Sequence, residues 1–192
     1  MILLSDILGI SALVDTINSQ QAPGTTESSV LGPFHNHAHE FEHGDSISSA
    51  GAGESMLIRG SVQDLRGRPV GKALLDIWET NSNGKYDMQD DAVQGPDCRG
   101  KFYTDEQGRF YLNGVKPVDY PVPFDGPVGI VLGMLDRNAY RPAHVVKTAT
   151  PGPCASVAPI FFSSITDMTP IAFPDLPPRL RNAQHRPLRQ RV

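Results

Sequence analysis

The chain is poor in cysteine: Cys98 and Cys154 are its only two among 192 residues. Two cysteines build no disulfide framework, and this pair has no zinc spacing. A reducing setting, the cytoplasm, is therefore expected. Positive charge is not in excess, since the formal net charge is −4. No global basic field recommends nucleic acid as a partner. Long apolar runs are missing too. Met1 to Asp6 is partly apolar but lacks a basic flank, and Asp6 and Asp15 interrupt it, so neither a secretory signal nor a membrane span is expected. There is no internal repeat and no Gly-rich phosphate loop. No Ser/His/Asp or HExxH pattern has convincing context.

Glycine and proline are plentiful, at 18 and 17 residues. Short β-prone runs divided by such turns predict a mainly β fold, a β-sandwich of short strands. Ahead of it, residues 2–18 predict an amphipathic helix, with Leu3, Ile7, Ile10, Val14 and Ile17 on one face. Met56 to Asp64 and Ala73 to Thr80 read as strands, with Leu57 and Val62 as core candidates in the first. Lys101–Thr104 and Arg109–Leu112 flank Asp105–Gly108 and predict a hairpin. Lys116 to Pro123 is too rich in proline for a central strand, and 128–135 suits a short helix. Three regions are expected: a helical segment over 1–24, a sandwich over 25–150, and a divergent, incomplete or poorly ordered tail over 151–192.

Chemistry-bearing residues sit at the turn-rich places. Tyr86 follows the strong turn signal Asn81 to Gly84, Tyr120 lies in the stiff proline segment, and His144 closes a Tyr-Arg-Pro-Ala-His run. Phenolate oxygens and imidazole suit a ferric ion, although scattered Tyr and His are also ordinary loop residues. His35, His37, His39 and His43 form a second candidate, a zinc module. Glu40, Glu42 and Asp45 around them favour a solvated loop.

Four stretches in order carry a resemblance. They are residues 25–34 (TTESSVLGPF), 76–87 (DIWETNSNGKYD), 120–129 (YPVPFDGPVG) and 140–144 (YRPAH). Together they make the chain resemble the intradiol ring-cleavage dioxygenases of the catechol and hydroxyquinol 1,2-dioxygenase type, with wording similar to fungal members. The resemblance implies cleavage of catechol or hydroxyquinol between its two hydroxylated carbons, using dioxygen, in aromatic compound catabolism. It implies one non-haem Fe(III) per chain, with Tyr86 and Tyr120 as tyrosinate ligands and His144 as the first histidine. It implies further that Arg141 leans toward the substrate ring and that Val30, Pro33 and Ile77 line the pocket. The small aromatic diol and O2 would be the partners, and the N-terminal helix would join two copies into a homodimer.

The chain departs from the family pattern after His144. Val146 stands where the fourth ligand is expected, and valine cannot ligate. His185 is a remote substitute with nothing to position it. Residues 179–192 carry five Arg and no acid, a composition that predicts a disordered tail. These departures predict a truncated or frame-altered copy with weak or absent iron binding and low or no turnover. The alternative is a catalytically dead pseudoenzyme fragment acting as a binding or subunit-interaction sandwich.

Overall fold

The computed structural model describes residues 2–18, 30–64 and 66–150. The expected tail over 151–192, with Cys154 and His185, lies outside the described residues. The described elements run α1 (Ile2–Ile7), α2 (Ile10–Asn18), β1 (Ser55–Ser61), β2 (Leu74–Trp78), a 3-10 turn (Asp87–Gln89), β3 (Arg99–Tyr103), β4 (Arg109–Val115), β5 (Tyr120–Pro121), α3 (Pro127–Met134), β6 (Tyr140–Arg141) and β7 (Val146–Thr150).

Two antiparallel sheets face each other. One is the pair β1–β4; the other is three strands in the order β3–β2–β7. Met56 and Ile58 of β1, Phe110 and Leu112 of β4, Leu75 and Ile77 of β2, Phe102 of β3 and Ala149 of β7 meet in one core, closed by Ile47 and Val145. Side chains alternate faces along a strand, so each strand contributes every second residue. In β1 the inward parity belongs to Met56 and Ile58, while Leu57 is half-buried. The expected core position is thus shifted by one residue; Val62 does pack against the core from the strand's end.

The predicted hairpin is not a hairpin. Asp105 to Gly108 makes the tight turn, with Gly108 N–H donating to Asp105 O at 2.9 Å. Yet β3 pairs with β2 and β4 pairs with β1, so the turn carries the chain from one sheet to the other. The expected N-terminal helix is divided as well. Gly9 adopts φ +76, a left-handed conformation that glycine tolerates and that ends α1. Leu3, Leu4 and Ile7 then pack on Val122, Val128 and Leu132 beside α3. Ile10, Val14 and Ile17 of α2 remain exposed. The short helix expected over 128–135 forms as α3, with Pro127 at its start.

One buried charge-capable group tests the packing between the sheets. Glu79, at the end of β2, is fully buried; its Oε1 accepts the Val115 N–H at 2.6 Å and its Oε2 has no protein partner. Burial pushes this carboxyl up to about 8, against the smaller opposing effect of the Val115 hydrogen bond. The folded chain therefore holds a proton that the unfolded chain releases near 4.5. The stabilising share of that proton is whole below pH 4.5 and is lost as pH rises toward 8. Glu79→Gln is expected to flatten stability across that window, where the wild type falls by a few kcal/mol, to order of magnitude. Urea unfolding at a series of pH values reads this directly. Parallel wild-type and variant curves would contradict it.

Candidate metal centre

The site sits at the end of β2 opposite the main core. Leu75 and Ile77 point to the core between the sheets; Trp78 joins a second cluster with Tyr86 and Tyr120, against which Phe34 and Val146 pack. After β2 the chain reverses at Asn81 to Lys85. Asn81 Oδ1 accepts the N–H groups of Asn83 and Lys85, and Gly84 takes φ +71. A Cβ on Gly84 would lie 2.9 Å from the Tyr120 Cβ, so glycine is needed for both the turn and the close approach. The turn delivers Tyr86, whose N–H donates to Gln89 Oε1 at 3.1 Å.

Tyr120 arrives from the other side on the proline segment. Pro121 supplies no N–H, and pairing is limited to the two-residue ladder of β5 with β6, Tyr120 opposite Arg141. Both tyrosines are buried, at 2% and 1% exposure. Their hydroxyl oxygens are 3.1 Å apart and their rings meet edge to face at 5.5 Å. Arg141 Nη1 donates to the Tyr120 hydroxyl at 3.1 Å and its guanidinium lies 6.0 Å from that ring's centre. His144 completes the group, its ring 5.5 Å from the Tyr120 ring. Its Nδ1 donates to Pro142 O at 2.6 Å, which leaves Nε2 as the bare nitrogen. That Nε2 is buried and has no protein partner.

Without a cation, burial holds the site's groups neutral. Burial, and next the neighbouring Tyr120, raise Tyr86 well above the ordinary phenol range, with Arg141 and Arg99 pulling back. Burial lowers His144; the Pro142 hydrogen bond opposes this and the Arg141 charge reinforces it. A neutral imidazole with an unpartnered nitrogen, its ring 5.5 Å from that of Tyr120, and two buried hydroxyls in contact form a set of donors that could take a cation. Phenolate oxygen with imidazole suits ferric iron in particular. The three residues present therefore fit such an ion, and Tyr86, Tyr120 and His144 would hold it. Val146, on β7, pairs with Trp78 of β2 and brings only methyl groups to the same cluster.

The other sequence candidates fall in different places. Arg141 is exposed but reaches the Tyr120 hydroxyl. Val30 and Pro33 are half-buried on the segment leading to Phe34, whose ring stacks on Tyr86 at 4.5 Å. Ile77 lies in the core between the sheets, on the opposite parity from Trp78. The histidine tract is dispersed: His35 Nε2 meets Asp76 Oδ2 at 3.1 Å, while His43 Nε2 meets Tyr103 O at 2.6 Å. Among the described residues no group of three or more His, Cys, Asp or Glu side chains could hold a metal ion. Cys98 is free and buried. Sequence reasoning missed Phe34 and Trp78 as walls of the site, although the alternation along β2 already sets Trp78 apart from Leu75 and Ile77.

Comparisons with known proteins bear on this geometry. Residues 30–164 match the protein family described as Dioxygenase. The chain is 49% identical over 145 residues to intradiol ring-cleavage dioxygenase hqdA of Aspergillus niger, covering 75% of this chain and 44% of that protein. It is 48% identical over 147 residues to a hydroxyquinol 1,2-dioxygenase of Rhizobium sp., covering 75% and 50%. The solved structure of a hydroxyquinol 1,2-dioxygenase from Pseudomonas putida superposes with a TM-score of 0.76 at 38% identity, covering 84% of this chain and 56% of that one. The chain thus spans about half the length of the curated relatives it matches. The family match also runs past His144, beyond the last of the four recognised motifs.

Proposed function

The chain belongs to the intradiol ring-cleavage dioxygenase family, and from that premise we propose that it opens the ring of a catechol-type diol with dioxygen. Hydroxyquinol is the favoured substrate, because two of the similar proteins carry that activity in their names. The observation that carries the reading is the meeting of the Tyr86 and Tyr120 hydroxyls at 3.1 Å, with the His144 ring 5.5 Å from the Tyr120 ring and its buried Nε2 unpartnered. A ferric ion held by these three residues would supply Lewis acidity toward both diol oxygens and draw electron density from the ring, opening it to dioxygen.

The chain's own residues do the rest. Tyr86 and Tyr120 would supply the negative charge that matches a trivalent ion, their phenolic protons leaving to solvent. One of those oxygens is then the base at hand for a substrate hydroxyl proton. His144 is fixed by its bond to the Pro142 carbonyl, so only Nε2 can turn to the site. Arg141 reaches the Tyr120 hydroxyl and is placed to meet negative charge developing on a bound ring, in the manner of a preorganised donor. Phe34 and Trp78 wall the phenols off from water.

Oxygen uptake by protein loaded with ferric iron tests the proposal. Uptake is expected with hydroxyquinol, one O2 per ring opened, and more slowly with catechol. No uptake with either diol at full iron loading would overturn it. No described helix is long and apolar enough to cross a membrane. The exposed Ile10, Leu13, Val14 and Ile17 on α2 support a homodimer through the N-terminal helices, in a cytoplasmic setting that suits the free thiol of Cys98. Sedimentation at the mass of a single copy would contradict the dimer.

A further inference from the structure

We infer that Arg99 is a positioning residue, one that fixes Tyr86 from behind so that its phenol oxygen is in place before any metal arrives. The inference rests on the reading of Tyr86 as a ligand given above. Arg99 opens β3 opposite Trp78 and is 2% exposed. Its guanidinium turns its donors inward on three acceptor atoms of two residues. Nε donates to Asp87 Oδ2 at 2.6 Å and Nη2 to Asp87 Oδ1, while Nη1 donates to Phe34 O at 3.0 Å. The first two bonds make the side-on fork that arginine forms with carboxylates.

Both partners touch Tyr86. Asp87 is the next residue in the chain, and its Oδ2 also accepts the Asp97 N–H at 3.2 Å. Phe34 stacks its ring on that of Tyr86, centroids 4.5 Å apart and planes 17° from parallel. One cation therefore ties down the backbone beside Tyr86 and the aromatic plate on its face. Tyr120 meets the same ring edge-on from another side.

A buried ion pair is weak evidence for stability, because desolvation offsets much of the attraction. Apolar side chains of the same volume often hold two segments together as firmly. What they would not do is set the distance between Asp87 and the Phe34 carbonyl. That is a geometric service, and it needs a planar group with donors on two edges. Lysine keeps the charge but is a point donor. It cannot span the two carboxylate oxygens and the carbonyl at once.

The test uses the metal-free protein first, with its tyrosine rings labelled for NMR. In the wild type the Phe34 plate shifts the Tyr86 ring signals upfield. In Arg99→Lys those signals are expected to lose the shift, while those of Tyr111, on β4, stay put. Iron affinity, read by chelator competition, is expected to fall about 10- to 100-fold, the usual effect of losing an outer-shell partner. A structural brace alone would lower the melting temperature and leave the Tyr86 shift and the affinity untouched; that result overturns the inference. If Arg99→Lys does not fold, Asp87→Asn decides, since it removes the charge from the same fork at equal size. A retained Tyr86 shift in that variant also overturns it. The NMR arm needs no iron, so a failure of the proposed activity is seen separately, as a wild type that takes up no oxygen.

Discussion

Replacing Val146 by histidine is expected to tighten iron binding by at least about a hundredfold, the upper end of what even an outer-shell partner contributes. Val146 lies opposite Trp78 in the β2–β7 ladder and packs against the cluster that contains Tyr86 and Tyr120. It follows His144 by two positions, and in extended chain two positions return a side chain to the same face. An imidazole there would join the two phenols and the His144 Nε2 as a fourth donor. The cost is local: a larger ring replaces two methyl groups, and overpacking of this kind takes about 1–3 kcal/mol from stability. Chelator competition reads the gain, and turnover per bound iron should rise with it. Unchanged affinity in a folded Val146→His protein would show that this strand does not border the metal.

Removing either phenol oxygen should have the opposite and larger effect. Tyr86→Phe and Tyr120→Phe each delete one donor while filling the same space against Trp78 and Phe34. The metal-free fold should scarcely notice. Tyr86→Phe loses the one hydrogen bond between the two hydroxyls, about 1 kcal/mol, which for a chain of this size is about 2–4 °C in melting temperature; Tyr120→Phe loses in addition the bond from Arg141. Stoichiometric iron binding and oxygen uptake should both disappear. Tyr111→Phe serves as the control, because Tyr111 sits on β4 in edge contact with His43 and should bind iron as the wild type does. Retention of iron by Tyr86→Phe would remove that residue from the ligand set.

How far the sequence revealed these features differs from element to element. Tyr86, Tyr120 and His144 were legible because each lies in a motif with its own turn chemistry, and their order matched a known pattern. Their meeting in space was not legible, since it depends on the proline segment carrying Tyr120 back over the Asn81 turn. The failed hairpin has a similar cause. Two β-prone runs around Asp105 to Gly108 look alike whether the strands pair with each other or leave for different sheets, and only long-range partners decide. The parity of β1 went wrong because Met56, Leu57 and Ile58 are all apolar, which erases the alternation that would set the face. Ile77 was readable in principle: it shares parity with Leu75, and both face the core. Arg99 gave no local signal at all, as its partners Asp87 and Phe34 lie 12 and 65 positions away.

The visible spectrum of the purified chain at saturating ferric iron tests the central claim most directly. Two tyrosinates bound to ferric iron should give a broad, wine-red absorption band that scales with bound metal to one per chain. The band should weaken in either Tyr→Phe variant and persist in Tyr111→Phe. Colourless protein at full iron loading, or a band indifferent to both Tyr86 and Tyr120, would contradict the account.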